Sequence, residues 1–163
     1  MRARVIGDAL RFFVPSNRCD ARGRPTHVDG WNEYIRAVKR NRYVGASMER
    51  ENLLNVCDYA RAAMRATGYP PLGVPALVLV RFVEVNRRRD VPNVYGGLKW
   101  VLDGITRPRG PKLVGAGLIV DDSPAWCEAV PSLQVDRESP GVWIQVSPLR
   151  EEKAANEEDC RWQ

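Results

Sequence analysis

Residues 76–85, Ala-Leu-Val-Leu-Val-Arg-Phe-Val-Glu-Val, carry the strongest strand signal in the chain, interrupted only by Arg81 and Glu84. β-branched side chains suit a pleated, half-buried surface and crowd a helix. Any fold open to this chain must therefore place a long strand here and cover it. The strand delivers the chain to Arg87-Arg88-Arg89-Asp90, followed by Asn93, Lys99 and Asp103, and a second acidic step stands at Asp121-Asp122.

The flanking segments predict the rest of an α+β fold. Residues 3–14 read as a first strand, ended by the turn-forming Pro15-Ser16-Asn17-Arg18. Trp31, Tyr34, Ile35 and Val38 recur at i, i+3, i+4 and i+7, the spacing of an amphipathic helix. A second helix is expected over about 49–66, with Gly68 placed to stop it. Val101, Leu102 and Ile105 give a short helical face around 94–105, weakened by Gly96-Gly97. The Pro-, Gly- and cation-rich stretch 107–117 reads as a loop, and Leu118-Ile119-Val120 as a short strand running into Asp121-Asp122. Strands at about 131–137 and 141–147, joined through Ser139-Pro140-Gly141, suggest a hairpin. The expected whole is a small mixed β-sheet with helices packed on it.

Length and charge bound this further. A chain of 163 residues with 44% hydrophobic content suffices for one ordinary core. We expect one domain over 1–149, with 36–68 as a helical elaboration and 150–163 as a charged tail. In that tail three cations face five carboxylates, a net of −2, so the overall +5 leaves +7 on residues 1–149. A basic body points to a polyanionic partner. Cys19, Cys57, Cys127 and Cys160 contain no C-x-x-C pair, which argues against a zinc knuckle and for free thiols. The single histidine, His27, argues against Ser-His or Cys-His catalysis. Neither a membrane-spanning apolar run nor a signal-peptide core is evident, so a cytoplasmic protein without a membrane partner is expected.

The acidic steps carry the chemistry. Asp90 closes the long strand and Asp122 the short one; if those strands are neighbours, both carboxylates project at one sheet edge. Mg²⁺, with Mn²⁺ as a substitute, takes one or two hard carboxylates and keeps several waters, so Asp90, Asp122 and Asp121 are candidate ligands. Such an ion acidifies water and stabilises charge on phosphorus, and Lys99 adds a cation at the phosphate or the leaving oxygen. Arg87, Arg88, Arg89, Arg107, Arg109 and Lys112 would hold neighbouring phosphates without reading sequence. Duller readings stand beside these. Asp90 suits a helix N-cap, Asp121-Asp122-Ser123-Pro124 an ordinary turn, and Lys99 with Asp103 an i, i+4 surface ion pair.

An apolar strand, then R-R-R-D-x-x-N, then K-x-x-x-D-G, then a loop into G-x-x-x-D-D, resembles the RusA family of Holliday junction resolvases, common in phages and prophages. The likeness spans about 76–147; Val14-Pro15-Ser16-Asn17-Arg18 resembles the family's early turn. It implies a homodimeric, Mg²⁺-dependent endonuclease making paired symmetric nicks in a four-way DNA junction for recombination and repair. It also assigns Asp90, Asn93 and Asp122 to motif positions, and Lys99 to the motif lysine across a three-residue insertion. One departure is plain: where the family has a second aspartate, this chain has Pro92, which lacks a ligand atom. Asp121, Asp103 or Glu84 are the available substitutes. The alternative is a catalytically inactive protein that binds branched DNA on the same scaffold.

Overall fold

Along the 76–84 run, Ala76, Val78, Val80 and Phe82 are at most 1% exposed while Leu79 and Arg81 face solvent, so the strand is covered on one side. The computed structural model describes residues 3–5, 8–110 and 113–151. In chain order the elements are β1 (Ala3–Val5), β2 (Leu10–Pro15), α1 (Trp31–Arg40), α2 (Arg42–Thr67), β3 (Ala76–Glu84), α3 (Val91–Tyr95), α4 (Leu98–Ile105), β4 (Cys127–Val135) and β5 (Gly141–Glu151). β5 lies between β3 and the β1/β2 pair and is antiparallel to all three, whereas β4 pairs with β3 in parallel. The result is a mixed sheet in a single-domain α+β fold, as the sequence predicts. The helices cover one face, where Val56, Ala60, Val101 and Ile105 meet Leu10, Phe12, Val78, Val80, Phe82, Ile144 and Val146. Among the described residues no helix is long and apolar enough to cross a membrane.

Five expectations are corrected. The first strand is two pieces, β1 and β2, which pair with successive stretches of β5. The second helix begins seven residues earlier than expected, at Arg42, because the Asn41 side chain accepts the Tyr43 N–H at 2.8 Å and caps it; Gly68 ends it in the left-handed conformation, φ 69°. Leu118-Ile119-Val120 makes only an isolated bridge, Ile119 to Thr106. β4 and β5 are not a hairpin, because β3 sits between them. Pro131 is tolerated in β4, which pairs with no strand but β3 among those described. β5 also runs to Glu151, so the first two residues of the expected tail belong to the sheet, and 152–163 lie outside the described residues.

Candidate active site

β3 and β4 are parallel, with Ala76 opposite Cys127, so Asp122 enters β4 beside the start of β3. Asp90 comes after the far end of β3, a nine-residue strand that spans about 30 Å at 3.3 Å per residue. The premise that both project from one sheet edge therefore fails, because it requires both to follow strand ends. Asp90 is exposed at the N-cap position of α3, where its carbonyl accepts the Val94 N–H at 3.2 Å and its side chain makes no capping bond. The neighbouring candidates are structural. Asn93, 4% exposed, accepts the Asn32 N–H at 2.7 Å and anchors the first turn of α1. Its carbonyl lies where a Cβ on Gly30 would have to go, at 2.2 Å, so only glycine allows this approach. Arg89 is turned inward onto Glu84 at 2.8 Å and Glu33 at 2.7 Å. It is not a cation free for phosphate, unlike the exposed Arg87 and Arg88. Glu84 is 3% exposed and committed to Arg89; burial raises its pKa although Arg89 opposes the shift, which removes it as a substitute ligand.

A different set of side chains comes together at the start of β3. α4 carries the chain back along the sheet, and its end is pinned to the following loop by Leu118 N–H to Ile105 O at 2.8 Å and Arg107 N–H to Ile119 O at 3.0 Å. Arg61 of α2 donates to Gly115 O at 2.8 Å and fixes the same loop from the other side. These bonds bury Leu118 and Ile119 and leave Asp121 and Asp122 at the rim of a hollow of about 380 Å³, whose lining includes Glu49, Lys99, Asp103, Arg107 and Arg109. Lys112 lies outside the described residues.

The charges in this hollow are unevenly balanced. Lys99 Nζ bridges Asp103 at 2.5 Å and Glu49 at 3.3 Å. Burial alone would lower its pKa, but the hydrogen bond and charge of Asp103, then Glu49, raise it. Asp121 is held below the usual carboxylate range: desolvation pushes it up, but hydrogen bonds from Ser123 Oγ at 3.0 Å and the Asp122 N–H at 2.9 Å, with the ion pair to Arg109, prevail. Asp122 is raised, by desolvation first, then by the Asp121 side chain and the charges of Asp103 and Asp121. A low and a raised carboxyl side by side are the pattern of two acids sharing one proton. The Cys127 thiol beneath them is pushed up to about 11 by burial and by Asp122, Asp121 and Glu128, so it is no nucleophile at neutral pH.

Among the described residues no three His, Cys, Asp or Glu side chains converge as ligands of one ion. Mg²⁺ needs only one or two carboxylates, and the donors here suit it: Asp122, exposed and repelled by Asp103 and Asp121, is a hard oxygen ligand that a cation would relieve. Glu49 was not singled out by its sequence context. Its signal is its place four and seven residues before Leu53 and Val56, the α2 positions that α4 packs against at Gly104.

No family model matches this chain, and no curated protein matches it.

Proposed function

We propose that this protein is a divalent-metal-dependent endonuclease acting on branched DNA, with its reacting groups in the hollow between α2, α4 and the turn before β4. The observation that carries the reading is Asp122: a raised, solvent-facing carboxyl, flanked by Asp103 and Asp121, beside Lys99, Arg107 and Arg109. The ordered likeness to RusA-type resolvases supports it from the sequence, and with it a homodimer in the cytoplasm presenting one site to each of two strands.

Within this reading Asp122 and Asp103 would hold Mg²⁺ or Mn²⁺, and Asp121 stays with Arg109. The chemistry such an ion supplies is an acidified water and neutralisation of charge at the phosphate. Lys99 keeps its proton at neutral pH and stands one helical turn from Asp103, so it balances charge on the phosphoryl oxygens as they become more negative. Arg107, exposed and without an ion pair among the described residues, holds a flanking phosphate, and Arg109, exposed although paired with Asp121, offers its remaining N–H groups to the next.

A labelled four-way junction incubated with Mg²⁺, Mn²⁺ or chelator tests this on denaturing and native gels. The expected result is paired nicks that require metal and vanish in Asp122→Asn, with junction binding retained; metal-independent or absent nicking refutes the enzyme. Pro92, together with the remoteness of Asp90 from the hollow, favours a second reading, a silent branched-DNA binder. It predicts a salt-sensitive shift of an uncut junction under every metal.

A further inference from the structure

The helices cover one face of the sheet, and the other face is open among the described residues. Its side chains stand in rows fixed by the register. One row runs Phe13 on β2, Trp143 on β5, Arg81 on β3 and Ser132 on β4; the next runs Arg11, Gln145, Leu79 and Val130. Residues opposite one another across a sheet have Cβ atoms about 5 Å apart, so Trp143 lies between an aromatic ring and a guanidinium. The Phe13 and Trp143 rings are tilted at 44° with centroids 5.1 Å apart, and Trp143 is 49% exposed. Between the two rows is a groove of about 450 Å³.

We propose that this face binds an unpaired nucleic-acid strand, with Trp143 and Phe13 as stacking platforms and Arg11 and Arg81 as phosphate contacts. Charge selects this occupant. Among the described residues neither arginine has a carboxylate partner, and Glu128, the acid that β4 places on this face, stands in a different row beside Leu77. A second copy docked face to face would bring four arginines together with Glu128 of each copy in a different row from them, an arrangement that is costly when desolvated. A polyanion that also offers flat apolar rings satisfies both features: bases stack on the aromatics and phosphates meet the guanidiniums. The groove is on the side of the sheet opposite the acidic hollow, so the two surfaces are separate, and the inference stands whether or not the hollow is catalytic.

The test is fluorescence anisotropy in chelator with labelled oligothymidylate and oligouridylate of about twenty nucleotides, long enough for a groove of this kind, and with a blunt duplex. Both single strands are expected to bind and to outcompete the duplex, because stacking reads no 2′-hydroxyl. Trp143→Ala should weaken binding roughly 5- to 150-fold, the effect of losing one stacked base. Arg81→Gln and Arg11→Gln should each reduce the slope of log affinity against log salt by about 0.7. Tyr43→Ala, which removes an exposed aromatic beside Arg42 on the helical layer, should bind as the parent does. Equal affinity for parent and Trp143→Ala overturns the inference, as does binding confined to duplex. A parent dimer that Trp143→Ala converts to monomer overturns it too, by assigning the face to a second copy. Circular dichroism melts close to the parent's, expected for half-exposed side chains, make any loss of binding a surface effect; Arg81→Gln provides the same reading without changing an aromatic.

Discussion

Under the proposed function, Asp122 carries opposing demands on stability and activity. Its folded-state pKa lies above its unfolded value, so folding favours the neutral form. That contribution is complete below the unfolded pKa and is lost as pH rises through the folded pKa. At neutral pH the ionised side chain faces Asp103 and Asp121 with no ion-pair partner among the described residues, and Asp122→Asn should stabilise the fold there by about 0.2–1 kcal/mol after solvent screening, raising the melting temperature. At acid pH, below the unfolded value, the two proteins should melt together. Millimolar Mg²⁺ should stabilise the parent and not the variant, since ligand binding to the folded state alone raises stability; a variant that melts like the parent at both pH values, with or without Mg²⁺, contradicts the assignment. Arg89 shows the limit of reading single residues. Arg87, Arg88 and Arg89 are indistinguishable in the sequence, yet only Arg89 meets Glu84 and Glu33, the latter 56 positions away. Arg89→Met leaves buried Glu84 without its cation and Glu33 with Arg36 alone, at 3.8 Å, and should cost about 3–5 kcal/mol, while Arg87→Met should stay within about 0.5 kcal/mol. Chemical denaturation of the pair tests this, and equal midpoints would place Arg89 on the surface after all.

At the level of elements, local signals were legible where local chemistry decides. The β-branched run became β3, the helical spacing at 31–38 became α1, and Gly68 stopped α2. Pairing was not legible, because the short link from Val135 to Gly141 resembles a hairpin loop whichever strand lies between. The contact that positions the acidic hollow is likewise non-local. Gly104 of α4 sits against α2 so closely that a Cβ there would stand 2.7 Å from Val56 Cβ and 3.1 Å from Leu53 O. Gly104→Ala would gain roughly 0.5–1 kcal/mol of helix propensity, but forcing the helices apart costs typically 1–3 kcal/mol. The overpacking term is the larger, so the variant should be less stable. It should also lose metal affinity, because Asp103 on α4 would shift relative to Asp122, its proposed partner at the ion. Thermal melts with isothermal titration of Mg²⁺ test both expectations, and a more stable variant would show that the two helices part without cost.

For the whole molecule, the question is which carboxylate works with Asp122. The order of motifs along the chain pairs it with Asp90, whereas the fold sets Asp103 of α4 beside it in one hollow. The sequence identifies Asp122, Lys99, Arg107 and Arg109, which gather in one hollow, but it cannot show that parallel pairing of β3 and β4 sends Asp90 to the far end. A double-mutant cycle separates the alternatives. Side chains in contact or sharing a ligand couple by about 0.5–3 kcal/mol, whereas distant ones add within about 0.5 kcal/mol. Mg²⁺ affinity measured for Asp103→Asn, Asp122→Asn and the double variant should therefore be non-additive, while Asp90→Asn should leave the Mg²⁺ titration unchanged in either background. Pro92→Asp, which restores the aspartate of the resembled motif, should also leave it unchanged, since Pro92 stands in α3 with Asp90. Strong coupling of Asp90 to Asp122, or a tighter titration in Pro92→Asp, would mean that the strand ends meet in a way this sheet does not allow.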